Sequence, residues 1–168
     1  MEPESSRRVF EGRLVKLDVE QWPAGEREVV KHPGACAIVA ITPEGEVLLV
    51  RQFREAVRRE LLEIPAGVIE EGESPEGCAA RELLEETGYR ATRLEHLGTI
   101  YTSPGFTNER ITIYRAEAEP NRPPEEEGVS VERIPLSRLA ALLVDGADLD
   151  SKTVVGLFLA TDASRDRR

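Results

Sequence analysis

Cysteine is almost absent from this 168-residue chain: Cys36 and Cys78 are the only two, and they form no CxxC spacing. So sparse a set argues against a zinc site or a disulfide framework, and both are expected to be free thiols, with Cys78 packing at the base of a helix. Long apolar runs are missing too, none approaching the ~18 residues of a membrane-spanning helix. The opening stretch MEPESSRRVF lacks the apolar core of a signal peptide, so a cytoplasmic protein without a membrane partner is expected. Positive charge is short: 22 Lys and Arg face 32 Asp and Glu, the net charge is −10, and no basic stripe is visible. Nucleic acid is therefore not an expected partner, while free nucleotides remain open. Asn and Gln are scarce and Arg far exceeds Lys, a weak sign of a heat-adapted or GC-rich source. No repeat or linker divides the chain, and its length suits one domain with a real core.

What is present is concentrated between Gly67 and Tyr89, in GVIEEGESPEGCAARELLEETGY. Ser74 is a fit helix N-cap, Pro75 suits the first helical position, and Gly88 can take the left-handed turn that stops a helix. A helix over residues 75–87 follows. At about 100° per residue, Glu82, Glu85 and Glu86 share one side with Cys78, while Ala79, Ala80, Leu83 and Leu84 gather opposite. One face is expected to be buried and the other acidic. Like charges at i,i+3 and i,i+4 repel by a few tenths of a kcal/mol per pair, a cost that a divalent cation removes. Hard cations such as Mg²⁺ bind one or two carboxylates together with substrate phosphates, so the pattern points to a metal site for diphosphate chemistry rather than a solvated acidic face.

Gly67, Glu73, Arg81, Glu82, Glu85, Glu86 and Gly88, with apolar residues at Leu83 and Tyr89, match without a gap the signature of the Nudix hydrolases, Gly-x5-Glu-x7-Arg-Glu-U-x-Glu-Glu-x-Gly-U, where U is bulky and apolar. Chance agreement is on the order of one such chain in a million at average residue usage. The resemblance implies an α/β fold, an α/β/α sandwich with a mixed sheet, that hydrolyses nucleoside diphosphates linked to another group with Mg²⁺ or Mn²⁺. It further implies that Glu82 and Glu86 are metal ligands, that Glu85 is a further ligand or orients water, and that the Ala66 carbonyl is a backbone ligand. Arg81 and Glu73 would pair to hold the helix against its loop.

Elsewhere strand and turn signals alternate. Residues 9–20 alternate apolar and polar, and Trp22-Pro23-Ala24-Gly25 turns them toward a second strand at 27–31, so an N-terminal β-hairpin is expected. Runs at 35–42 and 46–52, rich in Val, Ile and Leu around Pro43-Glu44-Gly45, are expected as central strands covered on both faces. A charged turn at 54–60, a short strand at 62–65, strands at 94–101 and 110–118, and a loop at 121–128 come next. Helices at 137–144, stopped by Gly146, and at 152–163 complete the reading, with the last five residues frayed. This divides the chain into dimer-forming N-terminal strands, 1–34, and a catalytic domain, 35–168.

Three segments outside the box bear on the substrate. Arg51-Gln52-Phe53-Arg54 ends an apolar strand with two cations, and arginine's planar fork suits phosphate. Glu63-Ile64-Pro65-Ala66-Gly67 sets a carboxylate beside the metal loop. Thr102-Ser103-Pro104-Gly105-Phe106-Thr107 interrupts two strands with a turn and an aromatic. Each has a bland explanation alone: surface charge, a structural acid, a tight connection. Together they resemble the ADP-ribose pyrophosphatase branch of the Nudix hydrolases, which shows a proline sixteen positions beyond the last box glycine, as Pro104 stands to Gly88. That resemblance implies a homodimer whose N-terminal segments help cover the adenine and the terminal ribose. It implies substrate contacts from Arg27, Arg51, Arg54, Glu63, Pro104, Gly105 and Phe106, Arg54 being preferred over Arg51 for orienting the diphosphate. The base is Glu85 or an acid of the 125–127 loop, with Glu127 the best match by its spacing to the following strand. The expected partner is a small-molecule nucleoside diphosphate sugar; GDP-mannose or a broad range of ADP-sugars is the alternative, and a non-catalytic sensor the rival of another class. His32 and His96 have no companion ligands in sequence and are expected in packing roles.

Overall fold

The computed structural model describes residues 1–144 and 147–162. The expected stop at Gly146, the expected helix end at residue 163 and the tail lie outside the described residues.

At the N-terminus, β1 (Ser5–Glu11), β2 (Lys16–Trp22) and β3 (Gly25–Lys31) form an antiparallel sheet in that order. The expected hairpin is thus a three-stranded sheet. The segment expected as one strand is two, because Gly12 donates its N–H to the Val15 carbonyl (2.9 Å) and folds the chain back. Alternation continued across that turn, so the hydrophobic period alone did not reveal it. The sheet meets the rest of the chain where Val30 N donates to Phe106 O (2.7 Å) and His32 N to Asn108 Oδ1 (2.7 Å).

The main sheet has seven strands. β4 (Ala35–Ile41), β5 (Glu46–Arg54), β8 (Tyr89–Tyr101), β9 (Arg110–Pro120) and β10 (Val129–Pro135) lie in the order β10-β5-β4-β9-β8, with β6 (Arg59–Glu63) paired to β5 and β7 (Ala66–Val68) to β4. Among the strands of the described residues β4 and β9 pair in parallel and the other ladders are antiparallel, so the sheet is mixed. Chain direction forces β5 to split its partners: Ala40 and Ile41 hold its start, while β6 takes over from Val50 to Arg54.

Helices cover both faces. α1 (Pro75–Thr87) lies on one, and α2 (Leu139–Val144), preceded by a 3-10 turn, and α3 (Ser151–Asp162) lie on the other. β4 shows why its sequence does not alternate. Cys36, Ile38 and Ala40 pack toward Cys78, Ala79 and Leu83 of α1, whereas Ala35, Ala37 and Val39 pack toward Leu139, Leu157 and Ala160. Each fully buried Ile or Leu here stabilises the fold by about 1.5–3 kcal/mol. The result is the expected α/β/α sandwich.

Two expectations about α1 are corrected. Cys36 and Cys78 are joined as a disulfide between the central strand and the helix, with Cα atoms 6.2 Å apart, rather than standing as free thiols. The two positions are 42 residues apart in sequence, and only the packing of α1 on β4 brings them together. The helix also does not divide into a buried apolar and an exposed acidic face: Glu82 and Glu86 are buried along with Cys78, Ala79 and Leu83. The edge carrying the acids is turned inward over the β7 turn, which a helical wheel does not show because β7 was not expected.

Candidate active site

The ends of α1 follow from local chemistry. Ser74 accepts from Gly77 N (3.0 Å), Pro75 opens the helix, and Gly88 at φ 75° closes it by donating its N–H to Leu84 O (2.9 Å). Arg81 then ties the helix to the loop before it. Its Nε and Nη2 fork onto Glu73 at 2.9 and 3.0 Å, and Nη2 also reaches the Val68 carbonyl at 3.2 Å.

The remaining nitrogen, Nη1, holds Glu82 (2.6 Å) and Glu85 (3.1 Å). Among the described residues no cation hydrogen-bonds Glu86, although the charge of Lys152 acts on it. Glu86 is only 3 % exposed, and its Oε2 accepts from Ala66 N at 3.0 Å. Burial, with the neighbouring negative charge of Glu126, pushes the Glu86 carboxyl up to about 8. Glu82 is raised in the same direction, by burial first, although Arg81 opposes the shift. A buried carboxylate with no cation hydrogen-bonded to it is unstable as an anion, and a divalent ion is the partner that such donors fit. Gly67 makes room for this arrangement: a Cβ at that position would overlap the Glu82 carboxylate. Among the described residues no three His, Cys, Asp or Glu side chains converge on one point, and Arg81 engages both Glu82 and Glu85.

A cavity of about 620 Å³ opens beside Ala66 and Gly67, and Arg54, Glu63, His32, Glu109 and Lys152 line it. Arg54 sets Nε and Nη2 against Glu63 at 2.8 and 2.7 Å. Burial disfavours the Glu63 anion, yet the Arg54 hydrogen bonds and the Lys152 charge outweigh it and hold the carboxyl low. A second cavity of about 540 Å³ is also lined by residues of the 102–109 loop. Trp22, Arg27, Tyr101, Pro104, Gly105 and Phe106 contribute to its walls.

The structure thus gathers Ala66, Glu82 and Glu86 at one turn with Arg54 and Glu63 beside it, and puts Arg27, Pro104, Gly105 and Phe106 around the second cavity. Arg51 is placed elsewhere: its Nε pairs with Glu132 across the β5–β10 ladder at 2.7 Å, and it lines neither cavity. The reason is register, since Arg51 and Arg54 sit at odd spacing on one strand and point to opposite faces. Glu85 is half-buried at the outer edge of the acid cluster. In the acidic loop, Glu127 is exposed and makes no hydrogen bond or ion pair among the described residues, whereas Glu126 accepts from Gln52 Nε2 (3.4 Å) and lies close enough to raise Glu82 and Glu86. The backbone explains the offset: the N–H groups of Glu125 and Glu126 both donate to the Glu85 carbonyl, so the loop is pinned to α1 one residue early. His32 lines the first cavity, where its Nδ1 accepts from Gly34 N at 3.1 Å, and His96 packs edge-on against Tyr114. Lys152 and Asp150 were not expected near any site. Their one signal in sequence is the rarity of lysine, of which the chain has three among 22 basic residues.

Residues 30–155 match the NUDIX domain. The chain is 39% identical over 163 residues to the ADP-ribose pyrophosphatase of Bacillus subtilis (strain 168), an alignment spanning 91% of this chain and 88% of that protein. It is 38% identical over 162 residues to the methanol dehydrogenase activator of Bacillus methanolicus, covering 90% and 88%. Among solved structures, one described as an ADP compounds hydrolase superposes with a TM-score of 0.83 over 99% of this chain and 96% of that one, at 24% identity, which speaks for the fold alone.

Proposed function

The chain belongs to the NUDIX family, and from that premise we propose that it is a pyrophosphohydrolase that cleaves ADP-ribose to AMP and ribose 5-phosphate, working as a homodimer with Mg²⁺ or Mn²⁺. The observation that carries the reading is a pair of cavities that share the 102–109 loop. Beside the Gly67 turn, Arg54, Lys152, Glu63 and Glu109 set charges among apolar side chains, and the other is walled by Trp22, Tyr101 and Phe106 together with Arg27 and Glu20. A diphosphate suits the first and a flat nucleobase the second.

Glu82 and Glu86, with the Ala66 carbonyl, would hold the divalent ions. Such ions supply charge neutralisation of the diphosphate and lower the pKa of the attacking water. Arg54 lines the cavity and spends Nε and Nη2 on Glu63, so that Nη1, uncommitted among the described residues, is available for a phosphate oxygen. Glu126, facing the acid cluster and steadied by Gln52, is the favoured base for the water proton, ahead of Glu85 and Glu127. Pro104 fixes the turn of the loop that the distal ribose would meet, and Arg27 offers a cation from the N-terminal sheet.

The dimer is supported by β1, exposed along its whole length with Val9 and Phe10 at 42 and 55%, and by Leu14 in the turn that follows at 48%. An edge strand left so open invites pairing with a second copy. A sensor without catalysis is the rival of another class. Chromatography of products from ADP-ribose with Mg²⁺ decides between them: AMP and ribose 5-phosphate support the enzyme, and tight binding without turnover supports the sensor.

A further inference from the structure

Lys152 is one of three lysines among the 22 basic residues, and of the three it alone is buried, at 6% exposure. Lysine is almost never fully buried unless paired. Here Nζ donates to Glu63 Oε2 and to Asp150 Oδ2, both at short range. Glu63 is itself only 1% exposed and takes the two-pronged fork of Arg54 on the same carboxylate. Glu63 thus stands between two cations, the Arg54 guanidinium and the Lys152 ammonium, and all three residues line the same cavity.

The start of α3 is stitched to the strand that leads into the Gly67 turn. Leu62 N donates to Asp148 O (2.9 Å), Ile64 N to Thr153 Oγ1 (2.9 Å), and Thr153 N to Asp150 Oδ1 (3.0 Å). Lys152 is therefore held where it can steady Glu63 and has little freedom to leave. Stability gives no reason for this choice, because apolar residues of similar volume commonly replace buried ion pairs without loss. A consequence for Arg54 does: with Nε and Nη2 engaged by a fixed carboxylate, Nη1 is left without a protein partner among the described residues, at the wall of the diphosphate cavity.

We propose that Lys152 is a positioning residue for this diphosphatase, clamping Glu63 so that Arg54 is oriented to receive a phosphate oxygen. The inference rests on the diphosphate reading of the cavity. Without the ammonium, buried Glu63 and half-buried Asp150 are two acids with Arg54 as the neighbouring cation. Arg54 is then drawn inward and loses its grip on substrate.

The test is a double-mutant cycle between Lys152→Met and Glu63→Gln, with kcat and KM measured on whichever nucleoside diphosphate sugar the wild type turns over fastest. Lys152→Met should raise KM by about tenfold or more while kcat falls by less than about threefold, the signature of lost substrate binding rather than lost active protein. In the Glu63→Gln background the same change should leave KM within about twofold, because the residue acts through Glu63. If Lys152→Met does not fold, the comparison of Glu63→Gln with the double variant still decides, since the double variant leaves no unpaired buried lysine or glutamate at this pair. Unchanged KM in the single variant, effects that multiply in the double, or a loss confined to kcat and melting temperature would overturn the proposal. A wild type that hydrolyses no nucleoside diphosphate sugar would instead sink the functional reading on which it stands.

Discussion

Replacing Glu86 with Gln should make the metal-free protein more stable while destroying its activity. The carboxyl titrates at about 8 in the folded chain against about 4.5 when unfolded, so between those values the native state holds a proton that the unfolded state has released. Stability then falls as pH rises through this window, with the slope set by one proton, and levels off above the folded value. Integrated, the penalty on the order of 3 kcal/mol at pH 7 grows to about 4 kcal/mol at pH 8. Glutamine escapes it and keeps the acceptor for Ala66 N. For a chain of this length that corresponds to a melting temperature higher by roughly 6–12 °C at pH 7. Denaturant unfolding in EDTA at pH 5, 7 and 8 measures it. The curves of wild type and Glu86→Gln should nearly coincide at pH 5 and diverge toward pH 8, and saturating Mg²⁺ should close the gap by stabilising only the wild type. A wild type whose stability is flat from pH 5 to 8, or a variant no more stable at pH 8, would refute the reasoning about this buried acid.

Other consequences can be checked separately. Glu126→Gln should lower kcat by about a hundredfold or more and Glu127→Gln by less than about threefold, as expected for a base and a solvated neighbour; the reverse order would return the role to Glu127. Sedimentation at micromolar concentration should show a dimer, and Phe10→Asp in β1 should shift it to monomer, so a monomeric wild type would remove the shared surface. Removing the Cys36–Cys78 bond by Ala substitution at both positions should destabilise the protein by up to about 4 kcal/mol for a loop of this length, and two titratable thiols in the denatured, unreduced protein would show that the bond does not form.

What could be read from the sequence was local. Ser74, Pro75 and Gly88 delimited α1 at the ends the structure shows, because each acts on its own few residues of backbone. The central strands were legible for a related reason: residues 35–41 and 46–52 carry β-branched side chains on both faces. What stayed hidden depends on contacts between distant segments. β7 is three residues long and exists only because Ala66 and Gly67 pair with Cys36 and Ala37, so the inward turn of Glu82 and Glu86 could not be seen from α1 alone. The odd spacing of Arg51 and Arg54 on β5 already separates them, but the partner that occupies Arg51, Glu132 of β10, lies 81 residues away. Lys152 meets Glu63 across 89 residues, and no pattern near either announces the other.

The reading of substrate is tested most directly by kcat/KM across a panel of ADP-ribose, GDP-mannose, UDP-glucose and diadenosine polyphosphates with Mg²⁺, with products identified by chromatography. ADP-ribose should lead, giving AMP and ribose 5-phosphate. Another sugar nucleotide preferred by tenfold or more, about 1.4 kcal/mol in transition-state binding, would contradict the ADP-ribose assignment while leaving the NUDIX chemistry in place.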